Sequence, residues 1–142
     1  MICAALCFRQ GPGGLQVLLI RTGEGRRWTF PKGCPRAGEK PVAAALRALY
    51  EDSGWRGEQK GKTEFYCIAP QGLTSFVAFA IAPAGRAGPG SETAVPSWFP
   101  LSEAERRLAE NRAGPLAQRL CVTLAEAAAV FRCREEPAAA RG

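Results

Sequence analysis

Two unbroken apolar runs open the chain, ICAALCFR over 2–9 and LQVLLIR over 15–21. Both are short and flanked by turn residues, so they predict strands. Between them lies Gln10-Gly11-Pro12-Gly13-Gly14, whose glycines permit positive φ, and the pair therefore predicts a hairpin. The pattern then lapses. The stretch TGEGRRWTFPKGCPRAGEKP, 22–41, is too polar for a core and too long for a turn, which marks a loop of the kind that often carries function. Periodicity returns at helical spacing: Val42, Ala45, Leu46, Leu49 and Tyr50 predict an amphipathic helix over 41–53, with Pro41 in its first turn and Gly54 as its stop.

After the helix come aromatic and β-branched runs, KTEFYCIA over 62–69 and LTSFVAFAIA over 73–82, separated by Pro70-Gln71-Gly72; they predict a second hairpin. The segment 82–96, APAGRAGPGSETAVP, reads as a second Gly/Pro loop that carries one acid, Glu92. SWFPL, 97–101, predicts a short strand. Ser102 with Glu105 three residues on has the form of a capping box for a short helix, SEAERRLAEN, and Gly114-Pro115 separates it from a last helix over 116–133. REEPAAARG, 134–142, has nothing to bury and predicts a frayed, disordered tail. There is no internal repeat. Strands, helix, strands and helices in that order predict one α/β domain over 1–133.

Composition narrows the class. At 142 residues the chain is one domain with a real core, and its 46% hydrophobic and 23% charged residues are ordinary for a globular protein. No apolar run reaches the roughly 20 residues of a membrane span. MICAALCFRQ lacks the cationic start of a secretory signal, so a cytoplasmic location is expected. The six cysteines have no C-x-x-C spacing, which points to buried reduced thiols and argues against zinc. Histidine is absent, which excludes Ser-His-Asp and Cys-His catalysis and any imidazole base. A net charge of +6, with an isoelectric point near 9.3, suits an anionic partner. The basic residues are spread along the chain rather than gathered in an aromatic-laced stripe, so nucleic acid is not the expected partner.

Acids therefore carry the candidate chemistry. Glu51 and Asp52 close the predicted helix, with Arg47 one turn before Glu51 and Ala48 one turn before Asp52. Arg47 and Glu51 read equally well as a solvated i, i+4 pair worth tenths of a kcal/mol. Two carboxylates at a helix C-terminus nevertheless oppose the macrodipole and call for a cation. Adjacent carboxylates beside a loop are oxygen ligands suited to Mg²⁺ together with phosphate oxygens.

The stretch GCPRAGEKPVAAALRALYEDSGW, 33–55, resembles the signature of the Nudix hydrolases: Gly, five residues, Glu, seven residues, Arg-Glu, an aliphatic residue, any residue, Glu-Glu, any residue, Gly and an apolar residue. Gly33, Glu39, Arg47, Leu49, Glu51, Asp52, Gly54 and Trp55 fall in register, and WTFPKG, 28–33, is similar to the family's lead-in. Two positions depart from it. Ala48 stands where the family commonly has a metal-binding or water-activating glutamate, and Asp52 replaces the second glutamate of the pair.

The resemblance implies an α/β/α sandwich with a mixed sheet between helices, and Mg²⁺ or Mn²⁺ held by Glu51, Asp52 and the Gly33 carbonyl against a pyrophosphate. Glu39 and Arg47 would brace the loop against the helix. Glu92, six residues before Trp98, resembles in spacing a loop acid of MutT-type members and is the candidate to replace the base lost at position 48. Glu51, Glu92 and Arg47 thus form the expected catalytic group. Arg21, Arg26, Arg27, Lys32, Arg36 and Lys40 flank the site. Singly each reads as a solvated loop charge; together they favour a polyanionic substrate, with Lys32, Arg21, Arg27 and Arg36 as the binding set. Trp28, Trp55 and Trp98 could stack on a base, though core packing is the expectation for at least two of them. Cys34 has cationic neighbours and no base to make it a nucleophile.

The resemblance implies a metal-dependent hydrolase of pyrophosphate linkages in nucleoside diphosphate derivatives, with dinucleoside polyphosphates or diphosphoinositol polyphosphates favoured by the lead-in and the charge. The alternative that Ala48 raises is a weak or inactive member of the same fold that binds a nucleotide or a protein.

Overall fold

The computed structural model describes residues 1–22, 27–69, 72–110, 112 and 114–135. Strands β1 (Ile2–Gly11) and β2 (Gly14–Thr22) are the expected hairpin, joined antiparallel with Gly11 opposite Gly14. Two very short strands, β3 (Trp28–Thr29) and β4 (Lys32–Gly33), lie within the lead-in segment read as a loop. Helix α1 (Pro41–Ser53) is followed by long strands β5 (Trp55–Ala69) and β6 (Gly72–Arg86), then β7 (Ala94–Pro100), α2 (Leu101–Ala109) and α3 (Gly114–Glu135).

The sheet runs β3-β2-β1-β6-β5, with β4 added to β1 and β7 to β2. β1 and β6 are parallel and the other pairings antiparallel, so the sheet is mixed. Side chains alternate across it. Ala4, Leu6 and Phe8 of β1 join Val17, Leu19, Phe76, Ala78 and Ala80 in a core closed by Ala104, Leu108, Leu120, Leu124, Ala127 and Phe131 of α2 and α3. Cys3, Ala5 and Cys7 point the other way, with Leu18, Val77, Phe79 and Ile81, onto Ala44, Ala45 and Leu49 of α1. Covered on both faces, β1 is apolar throughout rather than alternating, the signature of a central strand. The α/β/α sandwich is therefore present.

Several boundaries move. β5 begins at Trp55, not at 62, because RGEQKGK pairs with β6 as far as Trp55 opposite Arg86; an outermost strand needs only backbone partners and can be highly charged, so its apolar pattern is weak. The loop expected over 82–96 shrinks correspondingly between Arg86 and Ala94. The capping box does not form: Pro100 is the N-cap with no side-chain cap, and Ser102 lies inside α2. Glu103 of the first turn instead pairs with Arg106 and Arg107. α3 continues to Glu135; Pro70, Gln71 and the tail from 136 lie outside the described residues. All six cysteines are free, yet only Cys3 and Cys7 are buried, while Cys34 and Cys133 are exposed and Cys67 and Cys121 lie between. Burial pushes the Cys7 thiol up to about 12. Among the described residues no helix is long and apolar enough to cross a membrane.

Candidate active site

Helix α1 ends in a locally encoded stop. The Ser53 hydroxyl donates to the Leu49 carbonyl at 2.6 Å and accepts from the Trp55 amide at 3.2 Å. Gly54 takes the left-handed conformation, φ 79°, with its amide donating to the Tyr50 carbonyl. A β-carbon there would fall 1.9 Å from the Gly88 carbonyl oxygen, so only glycine fits. The close approach matters for the site. Ala87 and Gly88 donate amides to the Gly54 carbonyl, and the Ser91 amide reaches the Asp52 carbonyl at 3.4 Å. The loop carrying Glu92 is thereby laid against the acidic end of α1, with Glu92 exposed on the turn that follows.

Glu51 and Asp52 occupy a last turn that contains no basic residue. Glu51 is about half exposed and makes two long ion pairs, to Arg36 at 3.8 Å and Arg47 at 3.7 Å. Asp52 is partly buried and has no cationic partner among the described residues; burial, with the Glu51 charge beside it, raises its pKa. Ala48, 4% exposed, lies one turn before Asp52. A β-carbon added to Gly33 would stand 3.6 Å from that of Ala48, so the glycine backbone faces this row of the helix.

Glu39 and Arg47 hold the loop to the helix. Arg47 donates through Nε and Nη2 to the two oxygens of Glu39, both at 3.0 Å, and through Nη2 to the Cys34 carbonyl at 3.0 Å. Glu39 also accepts from the Arg36 amide. These donors hold the Glu39 carboxyl down at about 2 and raise Arg47. Arg47 therefore spends its short contacts on the loop and reaches Glu51 only at long range.

The basic residues divide. Arg36 joins the acids, whereas Arg21, exposed on β2 opposite Trp28 and Val95, does not. Lys32 follows the other face of β4: its ammonium donates to the Thr29 hydroxyl at 3.3 Å. Lys40 is the N-cap residue of α1 but makes no side-chain cap bond, and Arg26 lies outside the described residues. The tryptophans each pack on an aromatic partner, Trp28 edge-on to Phe99 and Trp55 edge-on to Trp98. Arg9 covers Trp98 at 4.3 Å. Arg9, Leu18, Trp55, Arg86, Pro96 and Trp98 line a cleft of about 380 Å³. The sequence gives no signal for Arg9 and Arg86 here, since they meet only because β1 and β6 run parallel.

Whether a divalent metal suits these residues follows from the donor set. Two carboxylates and a glycine backbone supply oxygen only, and no group of three His, Cys, Asp or Glu converges among the described residues. That suits a Mg²⁺ that keeps waters and substrate oxygens, and not a closed protein cage. The partnerless Asp52 in a turn without bases is the place where a cation would relieve both repulsion and dipole.

A family model described as NUDIX domain matches residues 2–120. Among solved structures, a C. elegans Ap4A hydrolase superposes with a TM-score of 0.63 at 18% identity, covering 92% of this chain and 96% of that one. RenU, a Nudix hydrolase from M. smegmatis, gives 0.65 at 20% identity, covering 88% and 86%. The NUDIX domain of Shewanella oneidensis NrtR, complexed with ADP ribose, gives 0.63 at 19%, covering 90% and 84%. No curated protein matches the sequence.

Proposed function

The chain belongs to the Nudix family of pyrophosphohydrolases, and from that premise we propose that it hydrolyses, with Mg²⁺ or Mn²⁺, a pyrophosphate linkage in a nucleoside diphosphate derivative, dinucleoside polyphosphates or diphosphoinositol polyphosphates being favoured. The observation that carries this reading is the acid pair Glu51–Asp52, set in a helix end without bases, on a helix whose Ala48 faces a Gly33 loop that Arg47 and Glu39 clamp in place. Glu51, Asp52 and the Gly33 carbonyl would hold the metal. When bound, such an ion neutralises phosphate charge and lowers the pKa of a water.

The chain's own groups supply the rest. Arg47 acts as a positioning residue, keeping the Cys34 carbonyl and hence the neighbouring Gly33 at the helix. Glu92, delivered by the loop bonded to Asp52 and Gly54, is assigned as acceptor of the proton from the attacking water. Arg36 and the cations near β4 meet phosphate oxygens. The Trp55–Trp98 cleft is of a size and aromatic character to receive a base. The Ap4A hydrolase and ADP-ribose complex among the similar structures are consistent with a nucleotide substrate.

Ala48 favours a second reading. It is buried where the family has a carboxylate, which leaves Asp52, one turn on, as the acid of that row. Loss of an acid–base group costs about 10²- to 10⁴-fold, which would leave a slow enzyme or a nucleotide-binding module. Hydrolysis of the pyrophosphate linkage in nucleoside triphosphates, dinucleoside polyphosphates, diphosphoinositol polyphosphates and nucleotide sugars, read by separating the phosphorylated products with and without Mg²⁺, separates the two. Wild-type turnover abolished in Glu51→Gln and crippled in Glu92→Gln is expected. A silent wild type that Ala48→Glu awakens would establish the second reading.

A further inference from the structure

Strand β3 gathers three cations, Arg27 and Lys32 from its own flanks and Arg112 from far along the chain. Arg112, from the connection between α2 and α3, donates through Nη1 to the Trp28 carbonyl at 2.8 Å and to the Leu108 carbonyl at 2.7 Å. Lys32 donates to Thr29, the other residue of β3, and Arg27 immediately precedes Trp28. Arg112 stands near both of the other charges, Lys32 and Arg27, and burial together with the Arg27 charge lowers its pKa. None of them has a carboxylate partner among the described residues. Like charges brought together and partly desolvated raise the free energy of the fold, and an anion in their midst reverses the sign.

The anchoring is directional. Both Nη1 hydrogens of Arg112 are committed to carbonyls, one of them left over at the C-terminal end of α2, so its Nε and Nη2 remain to bind a ligand from a fixed guanidinium plane. Lys32 and Gly33 are adjacent on β4, and by strand alternation the Lys32 side chain leaves from the face opposite the Gly33–Ala48 contact. The cluster is thus one residue from the acid site along the chain and separated from it by the thickness of an outer strand.

We propose that Arg27, Lys32 and Arg112 form a binding site for a short phosphate chain, taking phosphates distal to the bond cleaved at the acid site, with Arg112 as the residue that makes the protein prefer substrates with more phosphates. This deepens the hydrolase reading and rests on it for the word distal. The site itself is testable without turnover.

Calorimetric titration of the full chain with sodium tripolyphosphate, in metal-free buffer at two salt concentrations, reads it directly. Tripolyphosphate is expected to bind more tightly than orthophosphate, weakening as salt rises. Lys32→Gln and Arg112→Gln should each lower affinity about ten- to a hundredfold, the value of one charge-assisted contact. Arg112→Gln removes two carbonyl contacts, so Lys32→Gln serves as the variant that leaves that anchor in place. Arg132→Gln, on α3, should bind as wild type. Equal affinity for tripolyphosphate and orthophosphate, or tripolyphosphate binding unchanged in Lys32→Gln, would overturn the proposal. Glu51→Gln is expected to bind tripolyphosphate normally, and wild-type binding of tripolyphosphate without wild-type turnover of any substrate would leave this site standing while the hydrolase reading fell.

Discussion

Arg47 and Arg112 are both partly buried arginines that tie remote segments together, yet their surroundings are opposite. Arg47 meets two oxygens of Glu39 and, more distantly, Glu51; among the described residues Arg112 bonds two backbone carbonyls and stands near Arg27 and Lys32 with no carboxylate partner. A cation enclosed by carboxylates has its charge satisfied within the fold and serves as scaffold. A cation held among cations keeps its charge outward, available to a ligand. The two sites flank β4, so one short strand separates a neutralised brace from a standing positive field.

Adding a carboxylate to the braced side gives the largest expected effect. Ala48→Glu places an acid on the row of Asp52, facing Gly33, and turnover should rise by up to about 10²- to 10⁴-fold if the missing group is what limits the rate. A steady-state assay of both proteins at saturating Mg²⁺ reads it, and an unchanged rate would mean that Glu92 already does the work.

Arg47→Lys keeps the charge and removes the bidentate geometry. Activity is expected to fall about ten- to a hundredfold, the usual cost of losing a group that orients ligands, while tripolyphosphate affinity stays put. If both fall together, the two sides of β4 are one unit and the contrast drawn between them is wrong.

The brace also has a pH signature. The Glu39 carboxyl lies at about 2 in the fold, below its ordinary value of 4.5. A depressed folded pKa means that its stabilising contribution is complete above about pH 4.5 and fades as pH falls toward 2. The difference in melting temperature between wild type and Glu39→Gln should therefore be constant above pH 5 and shrink steadily below it. A difference that grows on acidification would contradict the hydrogen-bonded carboxylate.

Lys32→Glu is the smallest and most pointed test. It gives Arg112 the carboxylate it lacks, so tripolyphosphate binding should vanish while the melting temperature stays level or rises by a few degrees, in keeping with a partly exposed ion pair of at most about 1 kcal/mol. A marked fall in melting temperature would show that the Thr29 contact, and not charge, determines what position 32 requires.

How much of this was legible beforehand follows from the range of each interaction. α1 could be read to the residue, because Pro41, the 3.6 spacing and Ser53-Gly54 are all local signals. The first hairpin could be read as well, though its strands run up to two residues further than expected. The polar half of β5 could not, since RGEQKGK becomes a strand only by pairing with β6. The supposed capping box had the right letters, but Pro100 at the end of β7 started the helix earlier. The spacing of Gly33, Glu39, Arg47, Glu51 and Asp52 pointed to a family and to a chemistry because one loop and one helix carry all five. Arg112, Arg9 and Arg86 left no mark, being brought to their places by strands and helices far away in the chain.

The sequence alone thus determined the first hairpin, α1, the apolar runs that build the core and the acid pair, all products of short-range pattern and hydrophobic periodicity. Only the tertiary structure decided which charges face one another. It laid the Glu92 loop on the end of α1, satisfied Arg47 with Glu39, and left Arg112 among its own kind. Coulomb energy depends on distance through space, and the fold sets that distance independently of separation along the chain.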